Sequence, residues 1–440
     1  MNESGTPIQE ISFLDLAGRI DLSLQPHHHK RPAPRAAIKQ QSSRWSETMR
    51  HGQDIQPCNI QIAILENAYL FVKDGIDGLI VTEKKQILRE SGLFASMDKT
   101  EMEETIGNAL NQDHAELPTI EVGLAGFDGA WTNYYHWIIF ALTRSRLTLD
   151  LTDQEMPLLI PSYTHRKNIL ALQDKIYKKI SYSHSVWSDS LRLFSLDNQI
   201  QQLADGCYRV KRLAYSWSDK PYPTAITEHP AFYSSIRNLS FYRESLQRNA
   251  TVISPEQSAN ASISRRKICI IRESEPRIPA EVNAWLSSWL ESKGVQLVQL
   301  EKLDLEQQIE IFNESSHIIA PHGAGLTNLI LATSRVSILE FNRLFPGESR
   351  IRPWFYLLSA NMSHDYWFID IGDALPEATL KAGIQRFLDS SPKPWAAGEQ
   401  SIPWADFSKT PSGDPAIPIA RKSRIHRLIE KLILMRKRIF

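Results

Sequence analysis

Residues 317–331 read HIIAPHGAGLTNLIL, an apolar strand-like run followed by His322, two closely spaced glycines and a helix-like run. Where a strand gives way to a helix, the first N–H groups of the helix lack partners, and the helix dipole leaves that end positive. Such a turn suits an anion, most simply a phosphate or diphosphate. Gly323 and Gly325 would let the backbone approach a ligand, with Ala324 and Leu326 supplying amides in the same turn. Thr327 and Asn328 add side-chain donors, and His322 has the chemistry to hydrogen-bond a phosphate or a sugar hydroxyl. A tight turn whose glycines serve geometry alone fits the same letters. Glu340, ending the next apolar run, could accept hydrogen bonds from a ribose diol or be an ordinary strand-end carboxylate. Residues 323–328 also read GxGxxN, which raises a nicotinamide oxidoreductase. The third glycine is missing and the link to the next strand is short, so that match is weak.

A sheet must present this turn, and the second half of the chain reads as one. KICIIR is a short buried strand, followed by a helix over 280–293. Val282, Trp285, Leu286, Trp289 and Leu290 share a face of that helix, and Lys293-Gly294 stops it. VQLVQL is the next strand. Asp304 then caps a helix with Gln307 at the capping-box position, burying Leu305, Ile309 and Phe312. HIIA, VSILEF and YWFID complete a parallel, doubly wound pattern, in which ligands bind beyond the carboxyl ends of the strands. His322–Asn328 fall at that edge.

The first half is also α/β in pattern. IQIAIL and AYLFV are strands, and the Asp-Gly pairs of KDGIDGLIV mark tight turns. TIEVGL, a Gly-rich turn, a helix over 133–147, the strand MPLLI and a helix near 167–177 follow. Residues 1–55 read as a poorly ordered leader, and 216–264 as a polar excursion into a linker. The expected division is an N-terminal α/β domain over 56–250, a C-terminal α/β domain over 265–395 and an extension over 396–440.

At 440 residues the chain is long enough for two domains, with 42% hydrophobic and 23% charged residues, as in a globular protein. Cys58, Cys207 and Cys269 are widely spaced, which argues against a disulfide framework or a cysteine zinc site and fits a reducing compartment. His27, His28 and His29 lie in a polar, Pro-containing segment and read as exposed loop; no metal site is expected. No signal peptide or membrane span is read, so the expected location is cytoplasmic. The formal net charge of +0 hides an asymmetry: residues 421–440 hold eight Lys/Arg against the single acid Glu430. Ile425, Leu428, Ile429, Leu432, Ile433 and Phe440 recur at near-helical spacing there, the pattern of a basic amphipathic helix on an anionic membrane surface. A terminal helix docked on the body is the alternative. Nucleic acid is not expected, because the rest of the chain is acidic.

The run IIAPHGAGLTNLILA…SILEFN closely resembles the signature of glycosyltransferase family 61. Upstream, NYYHWIIFALTRSRL (133–147) resembles the family's Asn-Tyr-Tyr-His-Trp helix, and IIRESEPRIPAEV (270–282) its arginine-containing segment. LEQQIEIFNESSHIIAPHGAGLTN and RPWFYLLSANMSHDYW also match in order, so the likeness spans roughly 118–370. It implies a GT-B-like α/β fold with two Rossmann-like domains facing a central cleft. It further implies an inverting glycosyltransferase that takes a nucleotide-diphosphate sugar, usually a UDP-sugar, without an obligatory metal or other cofactor. The C-terminal domain would bind the donor and the N-terminal domain the acceptor, a saccharide or lipid-linked glycan. Arg272 and Arg277 would meet the leaving diphosphate together with the 322–328 turn. His136 would be the base, with Asp128, Asn133 and Trp137 on the acceptor side and Trp131 a further ring for sugar stacking. Phe140 stands where the family commonly has an acid, and Ala280 where Asn is usual before Glu281. Phe140 motivates a second reading, a catalytically impaired relative that binds nucleotide-sugar or glycan.

Overall fold

The stretch CNIQIAILENAYLFV, read as two strands, forms one: β1 (Cys58–Val72). Asn67 takes a φ of 49° within it, a left-handed backbone that asparagine tolerates better than branched residues. In the computed structural model the described residues are 8–16, 20–24, 30–31, 34–38, 45, 53–54, 58–111, 117–151, 155–172, 180–218, 265–272, 277–332, 335–345, 349–361, 364–372 and 374–391. They divide into two units. Described residues up to Leu24 and from Cys58 to Ser218 form the first; those from Lys30 to Asp54 and from Arg265 onward form the second.

In the first unit, α1 (Lys99–Asn111) covers an apolar cluster that includes Phe71, Leu79, Val81 and Ile106. β2 (Thr119–Ala125) leads through a turn into a helix whose second part is α2 (Thr143–Leu151). β3 (Leu158–Pro161), α3 (Tyr163–Leu172), α4 (His184–Leu193), β4 (Ile200–Leu203) and β5 (Gly206–Ser218) follow. The helix expected near 167–177 starts earlier, because the Ser162 carbonyl accepts from Arg166 N–H and opens the first turn. β5 pairs antiparallel with β1 and parallel with β2, while β2, β3 and β4 run parallel. The sheet is therefore mixed, with nine strands among the described residues.

Within the span 1–55 read as a leader, several described residues pair with the two sheets. Glu10–Ile11 pairs with Ile87–Leu88, Ile20–Leu24 with β1, and Arg35–Ala36 edges the second unit's sheet. Scattered apolar residues account for this: Phe13, Ala37 and Ile38 are buried, and the burial of each offsets the cost of ordering.

The second unit follows the expected pattern closely. β6 (Arg266–Ile270), α5 (Ala280–Ser292), β7 (Gln296–Val298), α6 (Leu305–Glu314), β8 (Ser315–Pro321), β9 (Ser337–Asn342), α7 (Trp354–Asn361), β10 (Asp365–Asp370) and α8 (Glu377–Leu388) alternate. The six strands run parallel in the order β7-β6-β8-β9-β10, with Arg35–Ala36 at the far edge. Gly294, at φ +74°, stops α5, and its neighbour Val295 donates back to the Leu290 carbonyl. Asp304 and Gln307 form the reciprocal capping box at the start of α6. Residues 219–264, the 396–440 extension expected to carry a basic helix, and His27–His29 lie outside the described residues. Among the described residues no helix is long and apolar enough to cross a membrane.

The turns after β1 carry an ion cluster that the Asp-Gly pairs alone do not announce. Gly75 and Gly78 have φ of +87° and +78°, and a Cβ on Gly78 would meet the Phe127 carbonyl oxygen at 2.6 Å. This close approach brings Asp77 to Trp131 Nε1, which donates to its Oδ2 at 3.0 Å. Arg166 from α3 donates Nη2 to Asp77 at 2.6 Å and meets Asp205 at 2.9 Å. Burial lifts the Asp77 carboxyl to about 7, with the Arg166 guanidinium pulling the other way. Arg166→Met would strand that carboxylate, at a cost of about 3–5 kcal/mol in stability near pH 8. The folded variant would take up a proton that the unfolded carboxyl, near its ordinary value of about 4, does not bind. The loss measured by urea unfolding should therefore shrink as pH falls toward 5; an equal loss at both pH values would refute the assignment.

Candidate functional site

The switch point of a doubly wound sheet lies between the strands whose connections leave to opposite sides, here β6 and β8. Beyond β8 the chain remains in register for one more residue, His322 N–H donating to the Phe341 carbonyl at 2.8 Å. It then enters a short helix over Ala324–Leu331, which is 3₁₀ rather than the expected α-helix. The first bond into it runs from Leu326 N–H to the Gly323 carbonyl, so the Ala324 and Gly325 amides come before it.

Both expected arginines reach this turn. A Cβ placed on Gly323 would lie 3.6 Å from Arg277 Nη1 and 3.8 Å from Arg272 Nη1. Arg277 Nη1 also donates to the His322 carbonyl at 2.8 Å, tying the chain after β6 to the end of β8. Arg272 Nη1 is buried without a hydrogen-bond partner. Two cations and a run of orphan amides thus converge at one strand edge, the arrangement that binds phosphate groups.

The two glycines have different duties. At Gly323 an added methyl meets only ordinary contacts, and its φ of 171° is extended backbone open to any residue. At Gly325 the methyl would stand 3.0 Å from Leu300 Cδ1 and 3.5 Å from Ile270 Cγ2. Gly325 therefore lets the helix pack on the core, while Gly323 leaves space on the arginine side.

Several expected donors turn inward. Asn328 is buried and donates Nδ2 to Gln308 Oε1 at 2.5 Å, while Gln308 Nε2 donates to the Leu300 and Leu303 carbonyls. Asn328 thus fastens the short helix to α6 instead of facing a ligand. Leu326 and Thr327 are fully buried too. Glu340 differs from the expected ribose acceptor: it has 0% exposure, and its oxygens accept from His322 Nδ1 at 2.5 Å and from the Tyr366 hydroxyl. A carboxylate so enclosed cannot reach a diol. Tyr366 had no signal in the sequence beyond an apolar strand. Burial, then the adjacent Glu340 charge, raise its hydroxyl well above the usual tyrosine range.

In the first unit, the expected 133–147 helix begins at Tyr134 and contains a π-helical segment, His136–Leu142. Thr143 bonds the Ile138 carbonyl, five residues back, through both N–H and hydroxyl. Asn133 is exposed and accepts from Tyr135 N–H at 3.0 Å, so it starts the helix. His136 is half-buried among rings: Phe140 stacks on it at 5.2 Å, and Phe94 meets it edge-on at 4.8 Å. Trp137, expected on the acceptor side, lies in the core. It is fully buried, stacked with Tyr182 and Trp187, and donates to Ser190 Oγ at 2.8 Å. Trp131, also considered for sugar stacking, is equally buried. Asp128 is buried as well, its Oδ1 accepting from Ala130 N–H at 2.9 Å. The structure does not bring it into contact with His136.

Fold and site define a Rossmann-like α/β protein with an anion-accepting turn at the switch point of its parallel sheet. The family model for Glycosyltransferase 61 matches residues 134–339, a span that opens at Tyr134, takes in His136, Arg272, Arg277 and His322, and closes one residue before Glu340. That match, over just under half of the chain, supports glycosyltransferase family 61 and with it a glycosyltransferase in general. No curated protein gives a significant match. The match does not favour the nicotinamide oxidoreductase or the impaired relative.

The glycine contrast yields a direct test. Gly323→Ala should leave the melting temperature nearly unchanged and weaken nucleotide binding by about tenfold or more, because the methyl enters the space beside both arginines. Gly325→Ala should instead cost roughly 1–3 kcal/mol of stability, measured by denaturant unfolding, through overpacking against Leu300. The reverse pattern would assign the two glycines wrongly.

Proposed function

We propose that the protein moves a sugar from a nucleotide-diphosphate sugar, a UDP-sugar by family likeness, to a saccharide or lipid-linked glycan, with inversion. The observation that carries this reading is the convergence of Arg272 and Arg277 on Gly323 beyond the strand ends of the second unit. That unit would bind the donor in a GT-B type enzyme. As the acceptor oxygen bonds to the anomeric carbon, the bond from that carbon to the phosphate oxygen breaks and its electron pair leaves with the diphosphate. Arg272, Arg277 and the amides at the turn would stabilise that developing charge, as preorganised donors do, so no obligatory metal is invoked. His136, on the first unit, would take the proton from the acceptor hydroxyl. Its ring is oriented by Phe94 and Phe140 in place of the expected acid.

Calorimetry with UDP, GDP and NAD tests the donor assignment. UDP or GDP should bind, and Arg272→Ala should weaken binding by about tenfold or more, the size of a lost charge-assisted contact. No binding of either, or binding of NAD alone, would remove the transferase reading of the site. With a UDP-sugar that binds, His136→Ala should lower transfer while leaving donor affinity in place; unchanged transfer would remove the base assignment.

We also propose a cytoplasmic location with docking of 421–440 on an anionic inner-membrane surface, supported by the +7 charge and apolar spacing of that segment. Deleting those residues should abolish partitioning onto phosphatidylserine vesicles. Unchanged partitioning would refute docking.

A further inference from the structure

The most closely knit set of titratable groups in the second unit is the one least expected from the sequence. Glu340 lies at the end of β9 with no exposure, between two donors: His322 Nδ1 at 2.5 Å and the Tyr366 hydroxyl of β10. A buried carboxylate is ionised only when it is paired. Tyr366 supplies a hydrogen bond and no charge, so the imidazole is the group that can hold the compensating proton. His322 engages Glu340 through Nδ1, leaving Nε2 as the ring nitrogen to act on a ligand.

The other groups around the ring are cationic or aromatic. Arg277 donates to the His322 carbonyl, and Arg272 lies beside Gly323. Arg352 sits on the faces of Phe345 and Trp354 at 4.5 and 4.7 Å, and both rings in turn contact the imidazole, at 5.3 and 6.0 Å between centroids. Arg343 lies over Phe345 as well, at 5.8 Å. Phe355 closes on the ring at 5.1 Å, and Tyr356 packs against Tyr366. Four cations thus share the neighbourhood, with Glu340 the one carboxylate in contact with the ring among the described residues.

We propose that Tyr366–Glu340–His322 is a proton-holding relay that keeps His322 as an imidazolium donating from Nε2 to the diphosphate of the leaving nucleotide. Glu340 and Tyr366 are positioning residues: they fix the ring and its charge without touching the substrate. His322 donates a charged hydrogen bond as the anomeric bond to the phosphate oxygen breaks, and it keeps its proton through the step. The proposal rests on the donor assignment above, and its test separates the two.

The first measurement uses the ligand-free full chain labelled with ¹⁵N-histidine. Long-range ¹H–¹⁵N spectra at about pH 7.5 should show both His322 nitrogens protonated, whereas a free histidine is mostly neutral there. In Glu340→Gln the ring should be neutral at the same pH, and in Tyr366→Phe it should remain protonated. A neutral His322 in the wild-type protein overturns the relay whatever the variants do, so a variant that fails to fold does not protect it. The second measurement is UDP affinity against pH. Wild-type affinity should hold from about pH 6 to 8, while Glu340→Gln should lose about tenfold as pH rises through the ordinary histidine range near 6.5. The same pH dependence in both proteins would overturn the relay. Failure of UDP and GDP to bind at any pH, with a protonated His322 in the spectra, would instead count against the donor assignment alone.

Discussion

A carboxylate shut away from water must find its partners inside the fold, and Glu340 finds them on two neighbouring elements. His322 follows β8, Glu340 lies on β9 and Tyr366 on β10, and the parallel register that pairs Ala320 with Glu340 and Glu340 with Phe368 brings them together. A slip of one residue would turn each side chain to the opposite face of the sheet. The carboxylate would then face the apolar layer with nothing to accept from. The burial of one acid thus makes strand register and the position of His322 a single condition.

That condition extends outward from the strand end. His322 leads into Gly323, and the backbone there is held by Arg277 on one side and the short helix on the other. The helix is held in turn by Asn328 through Gln308 to the loop before α6. Polar side chains that seemed available to a ligand are instead the fastenings of the turn. What remains for an anion is backbone amide, arginine and the Nε2 of His322, of which the first two keep their charge at any working pH.

The second unit was legible because its elements repeat familiar punctuation. The capping box at Asp304, the stop at Gly294 and the short apolar strands are local signals, and local signals survive in a sequence. The roles of Glu340, Asn328 and Trp137 were not legible, because which way a polar or aromatic residue turns depends on partners distant in sequence: Tyr366, Gln308, Ser190. The same limit hid Arg166 with Asp77, which are 89 positions apart. In the first unit the missing acid at Phe140 was visible as a letter, yet its consequence, a ring stacked on His136, belongs to the π-helical turn.

The arginines at the turn show why aromatic residues gather there. A carboxylate partner would orient a guanidinium but cancel much of its field, whereas an aromatic face orients it and leaves the charge able to act on a ligand. Arg352 is seated on Phe345 and Trp354 in this way. The acid in contact with the ring, Glu340, is committed to His322 and enclosed with it, so it lends a proton-holding partner without presenting negative charge at the surface of the turn. A strand edge built so keeps a positive field where a diphosphate would develop its charge. That field depends on Glu340 staying buried, which returns the chemistry of the turn to the register of three parallel strands.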